Sequence, residues 1–516
     1  MNGKKMSFKE SLLDPKTVCI NWELVPGRGA FEQSQESILT MAECAAKSSK
    51  INGVTITDNP GGKPSISSSV LAVEIKKYGI DPILHLTCKD RNRNQIQSDL
   101  YALERMGLNN LLIATGDYPT EGYEGISKPV FDIDSVHLLN LIGQMNSGEE
   151  IQLGKNKSII KSTNFFAGAV VSPFKNLEAE LIPQYIKLQK KVQAGAKFII
   201  TQLGYDPSKF DELKRFTELN NLQVPLIGNI FVISPFVAKL MNNNVLPGCV
   251  VTNDLLKALE EEKAKYGKSK EPQLLRAAKF FAILKGLKYD GISISGLGLK
   301  YEEVEYIIEK GEEMKDNWND YYEEYTAYHK DGFYFFNKDA STSNITNIPV
   351  NTTKTKKKAP SLHYYVFDTV HGAFFSEKGL FFKLTKAIAN AIDKTKIPKK
   401  MFTGFEHAVK VLTNDCFNCG DCAMMKRAYV CPMSQCPKQQ RNGPCGGSFN
   451  GYCEVYPNEK KCVYVRAYDK FKSNNKQGKL NEYIPPCNWN LYRTSSWLNY
   501  YGGRDYSKVS QEKTKK

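Results

Sequence analysis

Eight short apolar runs recur along the first three hundred residues, at 17–23, 53–57, 82–87, 111–115, 166–171, 198–202, 225–230 and 291–295. Most are separated by stretches with helical periodicity. Between 94 and 106, for example, Ile96, Leu100, Leu103 and Met106 recur on one face and Gly107 follows, the pattern of a helix and its stop signal. Strand then helix, eight times over about 280 residues, predicts an α/β fold of the (β/α)8 TIM-barrel type. A doubly wound open sheet shares that rhythm, but no G-x-G-x-x-G follows any of these strands.

Barrel enzymes carry their chemistry at the carboxyl ends of the strands. Those positions hold Glu23, Thr57 with Asp58, His85 with Thr87 and Cys88, Asp117, Ser172 and Gln202. Taken singly, a Thr or Ser there can cap a helix, and Asp117 in TGDYP can begin a turn. Converging on one rim, they predict an active site.

Nine of the thirteen cysteines lie between 416 and 487. Eight of them, Cys416, Cys419, Cys422, Cys431, Cys436, Cys445, Cys453 and Cys462, read C-x2-C-x2-C-x8-C-x4-C-x8-C-x7-C-x8-C. Thiolates repeated at such short range can cage a soft metal. The C-x2-C-x2-C opening and the Cys431-Pro432 and Cys436-Pro437 pairs have the texture of an iron–sulfur run. Eight thiolates suffice for two [4Fe–4S] clusters, or for one cluster and a zinc, since C-x2-C pairs also bind zinc. Cys487 is a spare ligand or a buried thiol. Cys19, Cys44, Cys88 and Cys249 read as core residues. His137, His329, His363, His371 and His407 form no ligand-like pair and are expected to be structural.

A chain of 516 residues should divide into domains: a barrel at 1–335, a Ser/Thr/Asn/Lys-rich linker at 336–360, and a small cysteine-rich α+β domain at 361–516. The opening MNGKKMSFKE lacks a signal peptide's apolar core, and no run of eighteen apolar residues occurs. A cytoplasmic protein with reduced thiols and no membrane span is expected. The net charge of +15 includes basic runs at 356–358 and 508–516. Without a nucleic-acid motif, it reads as a solvated lysine-rich surface, able to attract polyanionic substrates or an acidic electron carrier.

Several segments resemble the methylenetetrahydrofolate reductase family. NWELVP (21–26) is similar to its first-strand signature, GVTITDN (53–59) to its second strand, and HLTC (85–88) is matched letter for letter. ATGDYP (114–119) resembles its R-G-D-L-P loop, and KKVQAGAKFIITQ (190–202) its K-V-D-A-G-A…I-T-Q segment. The resemblance implies a flavin at the strand ends that exchanges a hydride with the one-carbon unit of tetrahydrofolate derivatives. It makes Glu23 the acid that protonates folate N10 and places Asp117 at the flavin's pyrimidine edge and the pterin. It gives the flavin and its phosphate to Thr55, His85, Thr87, Gly116, Lys190 and Lys191, and folate to Gln202 and Lys300. Four departures stand out: the family's arginine is Thr115, its flavin-packing tyrosine falls at Val170, its NADH-stacking phenylalanine at Asn242, and its folate arginine at Lys300. They favour FMN over FAD and electrons not delivered by NADH.

The cysteine framework with GPCGG (443–447) resembles the small C-terminal partner domain of that family, which serves electron supply. It implies an electron-transfer partner, a ferredoxin or a reductase subunit; a homo-oligomer is also expected. The alternative is a folate-binding accessory protein whose zinc domain docks a methyltransferase or reductase.

Overall fold

Runs of Ile, Val and Leu, interrupted by few charges, build eight parallel strands: β1 (Cys19–Leu24), β2 (Gly53–Ile56), β3 (Asp81–Thr87), β4 (Asn110–Ala114), β5 (Phe166–Val171), β6 (Ile199–Thr201), β7 (Leu226–Val232) and β8 (Gly291–Gly296). They close in chain order, β1 pairing with both β2 and β8, every rung parallel. The computed structural model describes residues 5–153, 156–339, 341–342, 344–355 and 357–507. Lys356 and the basic tail 508–516 lie outside the described residues. The (β/α)8 barrel is therefore observed, and each expected run matches one strand to within two residues.

Side chains alternate between the inside and the outside of a barrel strand. Read along that alternation, the interior changes character from floor to mouth. At the floor Cys19, Ile83, Leu112, Phe166, Phe198 and Ile227 form one apolar cluster, closed by Phe8 and Leu12 of the helix Phe8–Leu13. Two residues further up come Asn21, His85, Asn229 and Ser293, and above them Glu23, Thr57, Thr87 and Ser295. Glu23 pairs in register with Thr55. A dry floor holds the barrel together while a polar mouth is left for chemistry.

The helices follow from local signals. Arg93–Met106 starts where the Asn92 side chain accepts from the Gln95 amide and stops at Gly107, whose φ is 65°. Ile96, Leu100 and Leu103 are buried, whereas Met106 is exposed in the last turn.

Two segments differ from the sequence reading. Glu149–Leu153 and Asn156–Ile160 form an antiparallel hairpin. The expected linker begins as a second hairpin, Phe336–Lys338 with Ile345–Pro349. Phe336 and Ile345 are buried, and Phe335 meets Phe216 edge-on at 5.1 Å, so aromatic packing fastens the first half of that segment to the barrel.

Past residue 361, the helices Leu362–Val370, Phe382–Asp393, Lys396–Asn414 and Val463–Ser473 frame an irregular cysteine-bearing segment. Two isolated bridges, Phe449 with Tyr452 and Tyr452 with Lys461, are its β pairing among the described residues. Val463–Ser473 packs on the barrel helix Glu178–Gln193, where Tyr468 and Lys472 both donate to Glu178 at 2.6 Å.

Among the described residues no helix is long and apolar enough to cross a membrane.

Candidate active site

Glu23 ends β1 half-buried and in no ion pair among the described residues. Burial pushes its carboxyl up to about 7, because no nearby cation offsets the lost hydration. Around it the barrel presents polar atoms with no hydrogen-bond partner among the described residues: Thr55 Oγ1, Thr57 Oγ1, His85 Nε2, Ser172 Oγ and both side-chain atoms of Asn21. Burial lowers His85 to about 4, so its ring is neutral. Buried polar groups are nearly always bonded, so this cluster is built for a guest with several hydrogen-bonding atoms.

On the β2–β4 side the loops lock one another. Thr87 donates to Asp58 Oδ2 from its amide at 3.1 Å and its hydroxyl at 2.7 Å, and Arg91 grips the same carboxylate with both terminal nitrogens. Buried Lys89 donates to the carbonyls of Asp58 and Asn59 at 2.8 and 2.6 Å. Gly116, at φ 89°, turns the chain so that exposed Asp117 accepts from the Gly61 amide at 2.8 Å. Gln202 stands at the end of β6, and exposed Lys300 precedes the helix Tyr301–Met314 after β8.

From β4 to β6 the mouth is roofed by the cysteine segment, which the sequence did not foretell. Lys438 donates to the Gly116 carbonyl at 2.7 Å, and Thr115 to Gln440 at 3.2 Å. Buried Lys175 reaches the Ser448 carbonyl at 2.6 Å. The GPCGG turn lies over β5 and β6. A Cβ on Gly446, at φ 107°, would stand 3.6 Å from Ser172, and one on Gly447 would overlap the Glu454 carboxylate. Cys249, on the loop after β7 and raised by burial to about 12, lies within electrostatic reach of Lys175, Asp117, Glu23 and Glu454. The barrel's acids and the acid of the cysteine segment therefore meet around one point.

The cysteines sort into two sets. Cys416, Cys419, Cys422 and Cys431 line one cavity, and the free thiols of Cys487 and Cys419 are hydrogen-bonded to each other. Cys436 lies within electrostatic reach of Cys453, and Cys462 of Cys445 and Cys436. Burial raises Cys416 and Cys436 to about 11 and Cys445 to about 12. Each set has a buried lysine held charged against its own desolvation: Lys410 beside Cys416 and Cys422, and Lys438 beside Cys445 and Glu454. Fixed cations of this kind favour thiolates. Among the described residues, no three His, Cys, Asp or Glu side chains are gathered closely enough to hold a single metal ion.

Three residues named from the resemblance have partners within the chain. Lys190 is spent on the cysteine segment, donating to the carbonyls of Asn442, Leu480 and Glu482 at 3.1, 2.6 and 3.1 Å. Its neighbour Lys191, lowered by burial to about 7, bonds the Val170 carbonyl. Beyond β7, Phe236 is 69% exposed in the first turn of Pro235–Asn242. Asn242 closes that helix, bonding Val251 and Asn253 at 3.0 and 2.9 Å.

Two family models match the chain: methylenetetrahydrofolate reductase over residues 9–277, slightly more than half of it, and the methylene-tetrahydrofolate reductase C terminal over 396–490. A probable methylenetetrahydrofolate reductase (NADPH) of Caenorhabditis elegans is 24% identical over 274 residues, covering 50% of this chain and 38% of the relative. The 5,10-methylenetetrahydrofolate reductase of Pectobacterium carotovorum is 24% identical over 188 residues, 36% of this chain and 55% of the relative. The chain thus spans between about a third and a half of such relatives. A solved Clostridium thermocellum protein, described as binding two copies of 5-methyl-5,6,7,8-tetrahydrofolic acid, aligns over 60% of this chain and 99% of its own, at 16% identity and TM-score 0.38.

Proposed function

The chain belongs to the methylenetetrahydrofolate reductase family, and from that premise we propose that it interconverts 5,10-methylenetetrahydrofolate and 5-methyltetrahydrofolate, exchanging electrons through its cysteine segment. The observation that carries the reading is Glu23, a carboxyl poised near neutrality at the mouth of the barrel. Opening the five-membered ring of methylenetetrahydrofolate needs a proton at N10, and an acid with a pKa near 7 can hold that proton and give it up. A bound flavin would supply the hydride. Thr55, Thr57, His85 and Ser172 have free hydrogen-bonding atoms to hold and orient it. Asp117 would meet the pterin, and Gln202 the folate body.

The roof bears on the cofactor's size. Lys187 and Lys190, whose charges could face a pyrophosphate, instead hold the Gln440 side chain and the backbone at 442–444 and 480–482. Less room remains on that side for an adenosine, so FMN is favoured over FAD. Acid release and chromatography of the flavin should yield FMN. Release of FAD alone would contradict this.

The two cysteine sets are assigned one [4Fe–4S] cluster each, which would store and relay single electrons. A lone zinc would draw four sulfurs to within about 3.8 Å of one another. A cluster spreads its four ligands around a larger body. The set of Cys436, Cys445, Cys453 and Cys462 belongs to the roof of the mouth. That of Cys416, Cys419, Cys422 and Cys431 lies further along the chain's fold, beside helix Lys396–Asn414. Anaerobically purified protein should contain about eight irons and eight acid-labile sulfides per chain and show flavin bands on a broad shoulder. A colourless zinc protein would sink the assignment and leave the accessory-protein reading standing.

One observation favours a second electron source. Phe236 offers an exposed aromatic face beside the mouth on which a nicotinamide cofactor could stack. Rapid bleaching of the flavin by NADH would support that route.

A further inference from the structure

The helices Phe382–Asp393 and Lys396–Asn414 pack side by side, and both lean on Ser496–Tyr501. Phe382 meets Tyr501 at 5.8 Å, and Phe402 meets Trp497 at 5.9 Å. Ala389, Glu406, Lys410 and Asn414 are the buried positions. Those contacts account for one face of each helix. A second apolar stripe on each is left in solvent, at spacings of four residues.

Leu384 and Ile388 are 61 and 49% exposed, with Leu380, in the turn before the first helix, at 85%, and Ile397, Met401 and Phe405 are 75, 71 and 61% exposed, with Leu412 beyond them at 87%. Phe405 and Met401 directly precede the inward-facing Glu406 and Phe402, about 100° around the helix. The apolar sector is thus far wider than the fold uses.

What borders the stripes is basic. Between 377 and 412 there are eight lysines against Glu377, Asp393 and Glu406, eight minus three giving a local charge of +5. Asp393 is already paired with Lys399 and Arg504, and Glu406 with Lys410. Lys378, Lys383, Lys386, Lys394, Lys396 and Lys400 are exposed and take part in no ion pair among the described residues.

We propose that this helix pair is a peripheral binding surface for an anionic lipid bilayer, its leucine, isoleucine, methionine and phenylalanine side chains entering the headgroup–acyl boundary while the lysines contact lipid phosphates. The chemistry fits such a surface better than a protein interface. Permanent protein interfaces are depleted of lysine at their centre, and transient carrier contacts are small. Apolar side chains protruding between lysines on amphipathic helices are the mark of helices that lie in a membrane surface. The helices are too polar to span it. The surface would hold the Cys416 end of the chain beside the membrane, and it does not depend on the reading of the barrel.

The test uses the full chain with vesicles of phosphatidylcholine and phosphatidylglycerol in equal parts, and vesicles of phosphatidylcholine alone, in sedimentation at low and high salt. Binding is expected to the anionic vesicles only and should weaken with salt. Lys383→Gln and Lys400→Gln should each weaken it about fivefold, and Leu384→Gln combined with Met401→Gln at least as much. Flavin content and visible spectrum should be unchanged in these exposed-site variants. No binding, or equal binding to both vesicles, would overturn the proposal. So would a change in mass by light scattering when Leu384 and Met401 are replaced without vesicles, because a second copy of the chain would then be what covers the face.

Discussion

Glu23→Gln is expected to lower folate turnover by roughly 10²–10⁴-fold while leaving flavin and folate bound. The amide keeps the size and the hydrogen-bonding reach of the side chain and loses only the transferable proton. Single-turnover reoxidation of the reduced protein by methylenetetrahydrofolate separates this from a binding defect, since saturation should occur at an unchanged concentration. In the wild type, reduction should be constant below pH 7 and fall as pH rises through Glu23's folded value of about 7. The variant's residual rate should lack that limb.

The same shift has a stability consequence of opposite sense to that of most carboxylates. The unfolded glutamate titrates near 4.3, so the folded state binds its proton more tightly. Stability therefore declines between about pH 4 and 7, and at pH 8 Glu23→Gln should be at least as stable as the wild type. Full turnover by Glu23→Gln would remove the acid assignment altogether.

Asp134→Ala should be the most destabilising single change at the joint between barrel and cysteine segment, by about 3–5 kcal/mol in urea unfolding. Asp134 is the N-cap of helix Ser135–Ser147, its Oδ1 accepting from the amides of Val136 and His137 at 3.0 and 3.1 Å. Its other oxygen crosses to the cysteine segment, accepting from the Arg441 and Asn442 amides at 3.2 and 2.9 Å and from Asn442 Nδ2 at 3.1 Å. One carboxylate thus finishes a barrel helix and fastens the roof. Burial opposes its charge, yet His137, Lys187 and these amides hold it below the usual range.

For a depressed carboxyl the stabilisation is present above the unfolded value near 3.9 and disappears as pH falls through the folded one. Acid should therefore loosen the roof below about pH 4. Asp134→Asn, which keeps one acceptor oxygen, should be milder than the alanine. If Asp134→Ala unfolds like the wild type, the roof is held by something else.

How much of this was legible in the chain depends on distance. The eight strands were, because each carries its own apolar pattern and needs no partner to be recognised. Glu23, Thr57, His85 and Asp117 were legible for the same reason: they sit at strand ends, where a barrel exposes its chemistry. The hairpin Glu149–Leu153 with Asn156–Ile160 carried no such pattern. Ile159 is 78% exposed, so no buried face imposes alternation. The first half of the linker was hidden by its polar composition, because only Phe335, Phe336 and Ile345 anchor it.

The roof could not be read at all. Lys190 and Asn442 are 252 positions apart, and Lys438 and Gly116 are 322 apart. The resemblance gave Lys190, in the last turn of helix Glu178–Gln193, to a phosphate, and only the fold reveals the backbone carbonyls it reaches.

The central claim is that barrel and cysteine segment form one electron-carrying unit. The direct measurement is anaerobic: the protein is reduced with one equivalent excess of dithionite, desalted, and mixed with 5,10-methylenetetrahydrofolate while flavin and iron–sulfur absorbance are followed together. The account predicts that both reoxidise, that more than one 5-methyltetrahydrofolate forms per flavin, and that Glu23→Gln stops both changes. Reoxidation of the flavin alone, with one product per flavin and the broad absorbance unmoved, would contradict it.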